Sequence, residues 1–112
     1  MKVTELVEKL GLTVFSGHEG LGNEIRGGYT SDLLSDVMGH ATAGSVWITI
    51  QTHRNVLAIA SLRDISAVII TCGEKPGEDT MTQSNEEGIP VLGTELPTFD
   101  ITGMLYSIIN RS

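Results

Sequence analysis

Two short stretches carry the side chains from which chemistry or ligand capture would be built: Gln51-Thr52-His53-Arg54-Asn55 and Thr71-Cys72-Gly73-Glu74-Lys75-Pro76. In the first, Arg54 supplies a permanent cation, Thr52 a hydroxyl, and the opening amides of a following helix a partial positive charge. That combination suits a small anion such as phosphate or carboxylate. The same residues also read as an ordinary helix N-cap with exposed polar neighbours. In the second stretch, Cys72 becomes a nucleophile only where a base or a positive setting lowers its thiol pKa. Spacing identifies no such partner, so a small buried or half-buried thiol is the simpler reading. Gly73 lets backbone or ligand approach closely.

Other constellations fail on spacing. His18, His40 and His53 form neither HxxxH nor HxH, and one cysteine cannot complete a zinc set, so no metal and no cofactor are expected. The glycines at 17, 20, 22, 27 and 28 invite comparison with phosphate loops, yet neither GxGxxG nor GxxxxGK[ST] occurs, and Ile25 stands where the third Rossmann glycine belongs. Ser31, Ser35, Asp32, Asp36 and the histidines supply the ingredients of a catalytic triad, but a triad is defined by geometry. Asp32 and Asp36 at i, i+4 make either a solvated helix face or an attractor for a cation or a basic partner.

Strands alternating with helices must position these stretches. Thr4 is expected to cap a first helix that turns Leu6, Val7 and Leu10 inward and stops at Gly11. Thr13-Val14-Phe15 reads as a short strand, Ser16 to Asn23 as a turn or flexible loop, Glu24-Ile25-Arg26 as extended, and Gly27-Gly28 as more loop. Thr30 or Ser31 is expected to cap a helix with Leu33, Leu34, Val37 and Met38 inward and Gly39 closing it. Val46 to Ile50 and Ala67 to Thr71 are continuous β-prone runs of the kind buried on both faces. Between them Thr52 would cap a helix burying Val56, Ile59 and Ala60. A polar helix from Glu78 to Glu87, a stop at Gly88, a strand at Pro90-Val91-Leu92 and a last helix from Thr98 complete the chain. In that last helix Ile101, Met104, Leu105, Ile108 and Ile109 form one stripe. The result is one α/β domain over 1–112, a mainly parallel sheet flanked by helices with right-handed crossovers. Ligands in such sheets sit beyond the carboxyl ends of the strands, which is where both chemistry-bearing stretches fall.

Bulk properties narrow the classes. With 14 acidic against 7 basic side chains, a net charge of -7 disfavours nucleic acid and anionic membranes as partners. No apolar run approaches the roughly 20 residues that span a bilayer. The lone cysteine and the lack of a basic-then-apolar opening at Met1-Lys2-Val3 lead us to expect a cytoplasmic protein.

The run Arg26-Gly27-Gly28-Tyr29-Thr30-Ser31-Asp32-Leu33-Leu34-Ser35-Asp36-Val37-Met38, followed by Ser45-Val46-Trp47-Ile48-Thr49-Ile50, resembles the DRTGG family. Its members are similar to the N-terminal domain of HPr kinase/phosphorylases and recur in phosphotransacetylases and CBS-containing pyrophosphatases. The resemblance covers nearly the whole chain. Where relatives carry a Gly-Asp-Arg-like turn after the central strand, this chain keeps only Arg54 of Gln51-Thr52-His53-Arg54. The kinase P-loop of HPr kinases belongs to a different domain and has no counterpart here.

The resemblance implies a regulatory or assembly module, often dimeric when found in larger proteins, with no established activity of its own. The leading expectation is therefore a homodimer that senses a small anionic metabolite or an adenine nucleotide. Its expected ligand residues are Gly28, Tyr29, Asp32, Thr52, His53, Arg54, Cys72 and Gly73. The alternative is an interaction subunit that docks on a metabolic or redox enzyme through Gly27 to Met38. A third reading is a small enzyme using His53 or Cys72, for which no activated nucleophile–base pair can be read.

Overall fold

The two β-prone runs form the centre of the sheet. In the computed structural model, which describes residues 1–110, the chain folds as α1 (Val3–Leu10), β1 (Thr13–Ser16), β2 (Gly27–Thr30), α2 (Leu34–His40), β3 (Ser45–Thr49), α3 (Asn55–Leu62), β4 (Ala67–Ile70), α4 (Glu78–Glu87), β5 (Val91–Gly93) and α5 (Thr98–Ile109). Every residue of β3, β4 and β5 is buried, as strands covered on both faces must be. The strand order is β1-β5-β4-β3-β2. β2, β3, β4 and β5 run parallel, and β1 lies antiparallel on β5.

Each strand from β2 to β4 is followed by a helix and then by its immediate neighbour in the sheet. With right-handed crossovers, a sheet that advances in one direction puts every crossover helix on one face. The packing agrees. Val37 of α2 and Val56, Leu57 and Ala60 of α3 join Trp47, Val68, Ile70 and Val91 in one core. α4, beside α3, buries Thr80 and Ser84, and the Ser84 hydroxyl donates to the Ile89 carbonyl at 2.6 Å. On the opposite face Val3 and Leu6 of α1 and Ile101 and Leu105 of α5 meet Val46, Ile48, Ile69 and Leu92. The sheet order never reverses between β2 and β5, so this fold lacks the switch-point crevice on which doubly wound sheets rely.

Several local expectations are corrected. α1 starts at Val3 with Lys2 as its cap, and the Lys2 amide donates to the Glu5 carboxylate at 3.1 Å, so Thr4 lies within the first turn. The edge strand is Gly27–Thr30 and not Glu24–Arg26, because Leu105 of α5 packs onto Gly28 so closely that a Cβ there would lie 3.0 Å from Leu105 Cδ2. Thr30 is consequently in a strand. Ser31 Oγ accepts the Leu33 amide at 3.2 Å ahead of α2, which runs through Gly39 to His40. Leu33 and Met38 are exposed instead of inward, since the stripe of so short a helix holds only Val37 and the half-buried Leu34. Ile50 lies past the end of β3 and is exposed, Met104 is exposed on α5, and Leu57 rather than Ile59 is fully buried on α3. The helix stops at Gly11 and Gly88 stand as expected, both left-handed.

Candidate functional site

Parallel β2 to β5 bring the segments after them to one end of the sheet, and the bonding there decides what each expected residue can do. Asp32 follows β2. Its Oδ1 accepts the Thr49 hydroxyl at 2.9 Å and the Ile50 amide at 2.8 Å, while its own carbonyl accepts Gln51 Nε2 at 3.1 Å. The carboxylate thus fastens the exit of β3 to the exit of β2.

Thr52 does not cap α3. Its carbonyl accepts the Thr80 hydroxyl of α4 at 2.8 Å, and His53 takes the capping role, with Nδ1 accepting the Asn55 amide at 3.1 Å. The Val56 and Leu57 amides are bonded to the carbonyls of His53 and Arg54. Three of the first amides are therefore occupied. His53 and Arg54 are exposed, and among the described residues Arg54 makes no ion pair.

Cys72 and Gly73 both take left-handed backbone conformations, at φ 61° and 72°. For a residue with a Cβ this costs on the order of 1 kcal/mol or more, and the loop repays it in bonds. The amides of Cys72 and Gly73 donate to the carbonyls of Leu96 and Thr94, each at 2.9 Å, and that of Glu74 returns to Thr71 at 3.1 Å. Thr71 and Thr98 hydroxyls meet at 2.7 Å. This loop is a clasp between β4 and the start of α5, with no amide among these left to cradle a phosphate. The turn also carries the Cys72 thiol to the surface, contrary to the buried or half-buried position expected.

Open volume lies elsewhere. A groove of about 300 Å³ runs between β2 and α5, floored by Gly28, Tyr29 and Thr30 and walled by Arg26, Leu105 and Tyr106. A second cleft of about 510 Å³ lies between β5 and the loop after β4 and includes Phe15, Gly73, Lys75 and Glu95. A third, of about 530 Å³, opens at the amino ends of the strands among Glu24, Arg26, Asp64 and Glu87. The expected residues thus separate: Gly28 and Tyr29 share the first, Gly73 joins the second, and Asp32, Thr52, His53, Arg54 and Cys72 line none of the three. Arg26 and Tyr106 escaped the sequence reading. The available signal was Tyr106 itself, an aromatic residue outside the inward stripe of α5.

On the other face of β2, the Tyr29 hydroxyl donates to Asp36 Oδ1 at 2.8 Å, and the His40 ring lies 3.1 Å from the same oxygen. The hydroxyls of Ser31 and Tyr29, with His40, hold the Asp36 carboxyl below its ordinary range, and the bond to Asp36 raises the Tyr29 phenol. A lowered carboxyl favours the fold above the unfolded-chain value and loses that support as pH falls through the lower folded value. A raised phenol favours the fold below its unfolded value and loses that support as pH rises through the folded one. Tyr29→Phe should therefore move the Asp36 titration upward, toward ordinary aspartate, in a carboxyl-detected NMR titration; an unmoved midpoint would show that the phenol contributes nothing.

The β2–α5 groove offers a cation, an aromatic ring and a threonine hydroxyl that meets the Thr102 hydroxyl at 3.0 Å. Groups of these kinds can hold and orient a flat, charged molecule. Among the described residues no three His, Cys, Asp or Glu side chains are grouped to hold a metal, and no helix is long and apolar enough to cross a membrane.

No curated protein matches the sequence. Among solved structures, the fold is similar to the CBS and DRTGG domains of the regulatory region of a Clostridium perfringens pyrophosphatase, a structure complexed with its activator, diadenosine tetraphosphate. The TM-score is 0.71 at 14% identity, and the match covers 93% of this chain and 45% of that one. At that identity the likeness is one of fold, and this chain spans less than half of that neighbour's length. The family model named "DRTGG domain" matches residues 5–108, which takes in every strand and all but the tips of the first and last helices. The chain belongs to the DRTGG domain family.

Proposed function

We propose that this DRTGG domain is a non-catalytic, cytoplasmic regulatory module that works as a homodimer and binds a small anionic metabolite, an adenine nucleotide foremost. The observation that carries the reading is the β2–α5 groove, where Arg26, the Tyr106 ring and the Gly28–Thr30 backbone line about 300 Å³. That volume is at the lower end for small-molecule sites. A guanidinium suits phosphate and an aromatic ring suits a base. The nucleotide activator in the regulatory region of the Clostridium perfringens pyrophosphatase gives the choice of ligand class its support. Gly28 and Tyr29 form the floor in this reading. Asp32, Thr52, His53 and Arg54, with Cys72 and Gly73, belong to the loops beyond the strand ends, where Arg54 is a second cation available to a long polyphosphate.

A thermal-shift series with AMP, ATP and diadenosine tetraphosphate at fixed salt tests this. Ligand at 100 times its Kd adds about 2.7 kcal/mol of apparent stability, a rise on the order of 10 °C for a domain near this size. The rise should vanish in Arg26→Ala and survive in Arg54→Ala. Loss only in Arg54→Ala would move the site to the loops after β3. A flat series on the wild-type protein overturns the ligand reading and favours docking on a metabolic or redox enzyme through Gly27 to Met38, for which Leu33, 64% exposed, is the first contact to test.

A further inference from the structure

We propose that the two copies join through β2, pairing antiparallel about a twofold axis that passes beside Tyr29, so that the sheets of both copies become one. This rests on the homodimer reading above and names its surface. β2 is hydrogen-bonded on one side only, to β3. The Ser31 amide donates to Ile48 at 3.2 Å, and Ile48 is the register partner of Thr30, which directs the backbone groups of Tyr29 and Ser31 toward β3. The groups of the residues between them alternate outward. Gly28 and Thr30, whose N–H and C=O groups therefore face away from the sheet, are both exposed.

Natural sheets blunt such edges with lysine, proline, bulges or a covering segment. The opposite edge obeys: β1 is bulged between Val14 and Ser16. β2 reads Gly-Gly-Tyr-Thr and keeps regular register along its whole length; apart from its shortness it carries no lysine, proline or bulge.

What selects a second copy as occupant is the pattern of charge along the edge. Arg26 precedes β2 and Asp32 follows it, both exposed. In an antiparallel self-pair centred on Tyr29, Gly28 exchanges both backbone bonds with Thr30 of the second copy; the Arg26 amide turns back to the Gly44 carbonyl at 2.8 Å, so the ladder ends there and Arg26 meets Asp32 of the second copy through side chains alone, at each end. A parallel pairing sets like charges together. The same register carries Leu33, 64% exposed, toward the far end of the neighbouring strand, where Met1, Ile25, Ile108 and Ile109 line a cleft of about 260 Å³.

The test combines mass with a register-specific cross-link. Light scattering on the wild-type protein should give twice the monomer mass of 12.0 kDa. Tyr29 faces its twin as a non-hydrogen-bonded pair, with Cα atoms about 4.5 Å apart, a separation a disulfide spans. Tyr29→Cys in a Cys72→Ser background should therefore oxidise to a covalent dimer, and Thr13→Cys on the opposite edge should not. Thr30→Pro, which removes an outward amide that an edge strand can spare, and Leu33→Asp on the exposed rim should each weaken the dimer at least tenfold. A wild-type dimer that does not cross-link at 29 and survives both substitutions overturns the β2 interface while the homodimer stands. A protein that stays at 12.0 kDa at every concentration overturns the homodimer itself.

Discussion

Trp47→Ala should lower the free energy of unfolding by about 3–5 kcal/mol, the range for removing a large aromatic side chain from a packed interior. Trp47 is the largest fully buried side chain, in the middle of β3 and against Val37 of α2 and Val56 of α3. Its indole N–H donates to the Ser31 carbonyl at 2.8 Å, so the ring ties the central strand to the exit of β2. Alanine leaves a cavity and an unpaired carbonyl together. Against a total stability of about 5–15 kcal/mol for domains of ordinary size, that is about a third or more of the stability at the middle of the range. Urea denaturation checks it, and Trp47→Phe separates the two contributions: the ring volume is mostly kept while the bond to Ser31, worth about 1–3 kcal/mol when its partner is stranded, is lost. A Trp47→Ala midpoint within 0.5 M or so of wild type, given a slope of about 1–3 kcal/mol per molar, would mean that the site collapses around the hole.

Gly17→Ala ranks beside it, for a reason unrelated to burial area. Gly17 holds φ at +73°, and a methyl group there would collide with the Ile89 carbonyl and lie 2.6 Å from Pro90 Cα, both backbone and neither free to yield. Left-handed strain and overpacking each cost about 1–3 kcal/mol, so a loss of about 2–6 kcal/mol is expected. The Gly17 amide also donates to Asn85 Oδ1 at 2.7 Å, so the displaced turn would pull on α4 as well. Thermal unfolding should show a drop of 10 °C or so. Gly22→Ala, where nothing lies within 4 Å and φ is not positive, is the matched control and should be nearly neutral.

The two glycines show how far the sequence could be read. A cluster of glycines between Phe15 and Glu24 says turn, but only the packed chain distinguishes Gly17, pressed against the β5 approach, from Gly22, which faces open space. Strands β3 and β4 were legible because burial on both faces writes a continuous apolar run, and α4 was legible from its polar length and the stop at Gly88. β2 was not. A strand that reads Gly-Gly-Tyr-Thr has almost no side-chain signature, and it exists because Leu105 needs the space beside Gly28 and β3 needs a partner. The site suffered from the same blindness. Thr52 and the Cys72–Gly73 turn sit beyond strand ends as expected, but their hydrogen-bonding capacity goes to neighbouring loops, which no spacing rule reveals. Arg26 and Tyr106, 80 positions apart in the chain, meet only because α5 returns across β2.

That monotonic advance of the sheet also has a bearing on how the chain assembles. From β2 onward each strand finds its partner one crossover later, a succession of short closures. β1 is the exception: Thr13 pairs with Gly93, so the first strand must wait for the last. Closure entropy grows with the length of the loop, and non-local pairings are the slow ones. The α1–β1 segment is therefore expected to dock late onto the β2–β5 sheet, and in a chain emerging from synthesis the first-made strand would be the one left longest without a place.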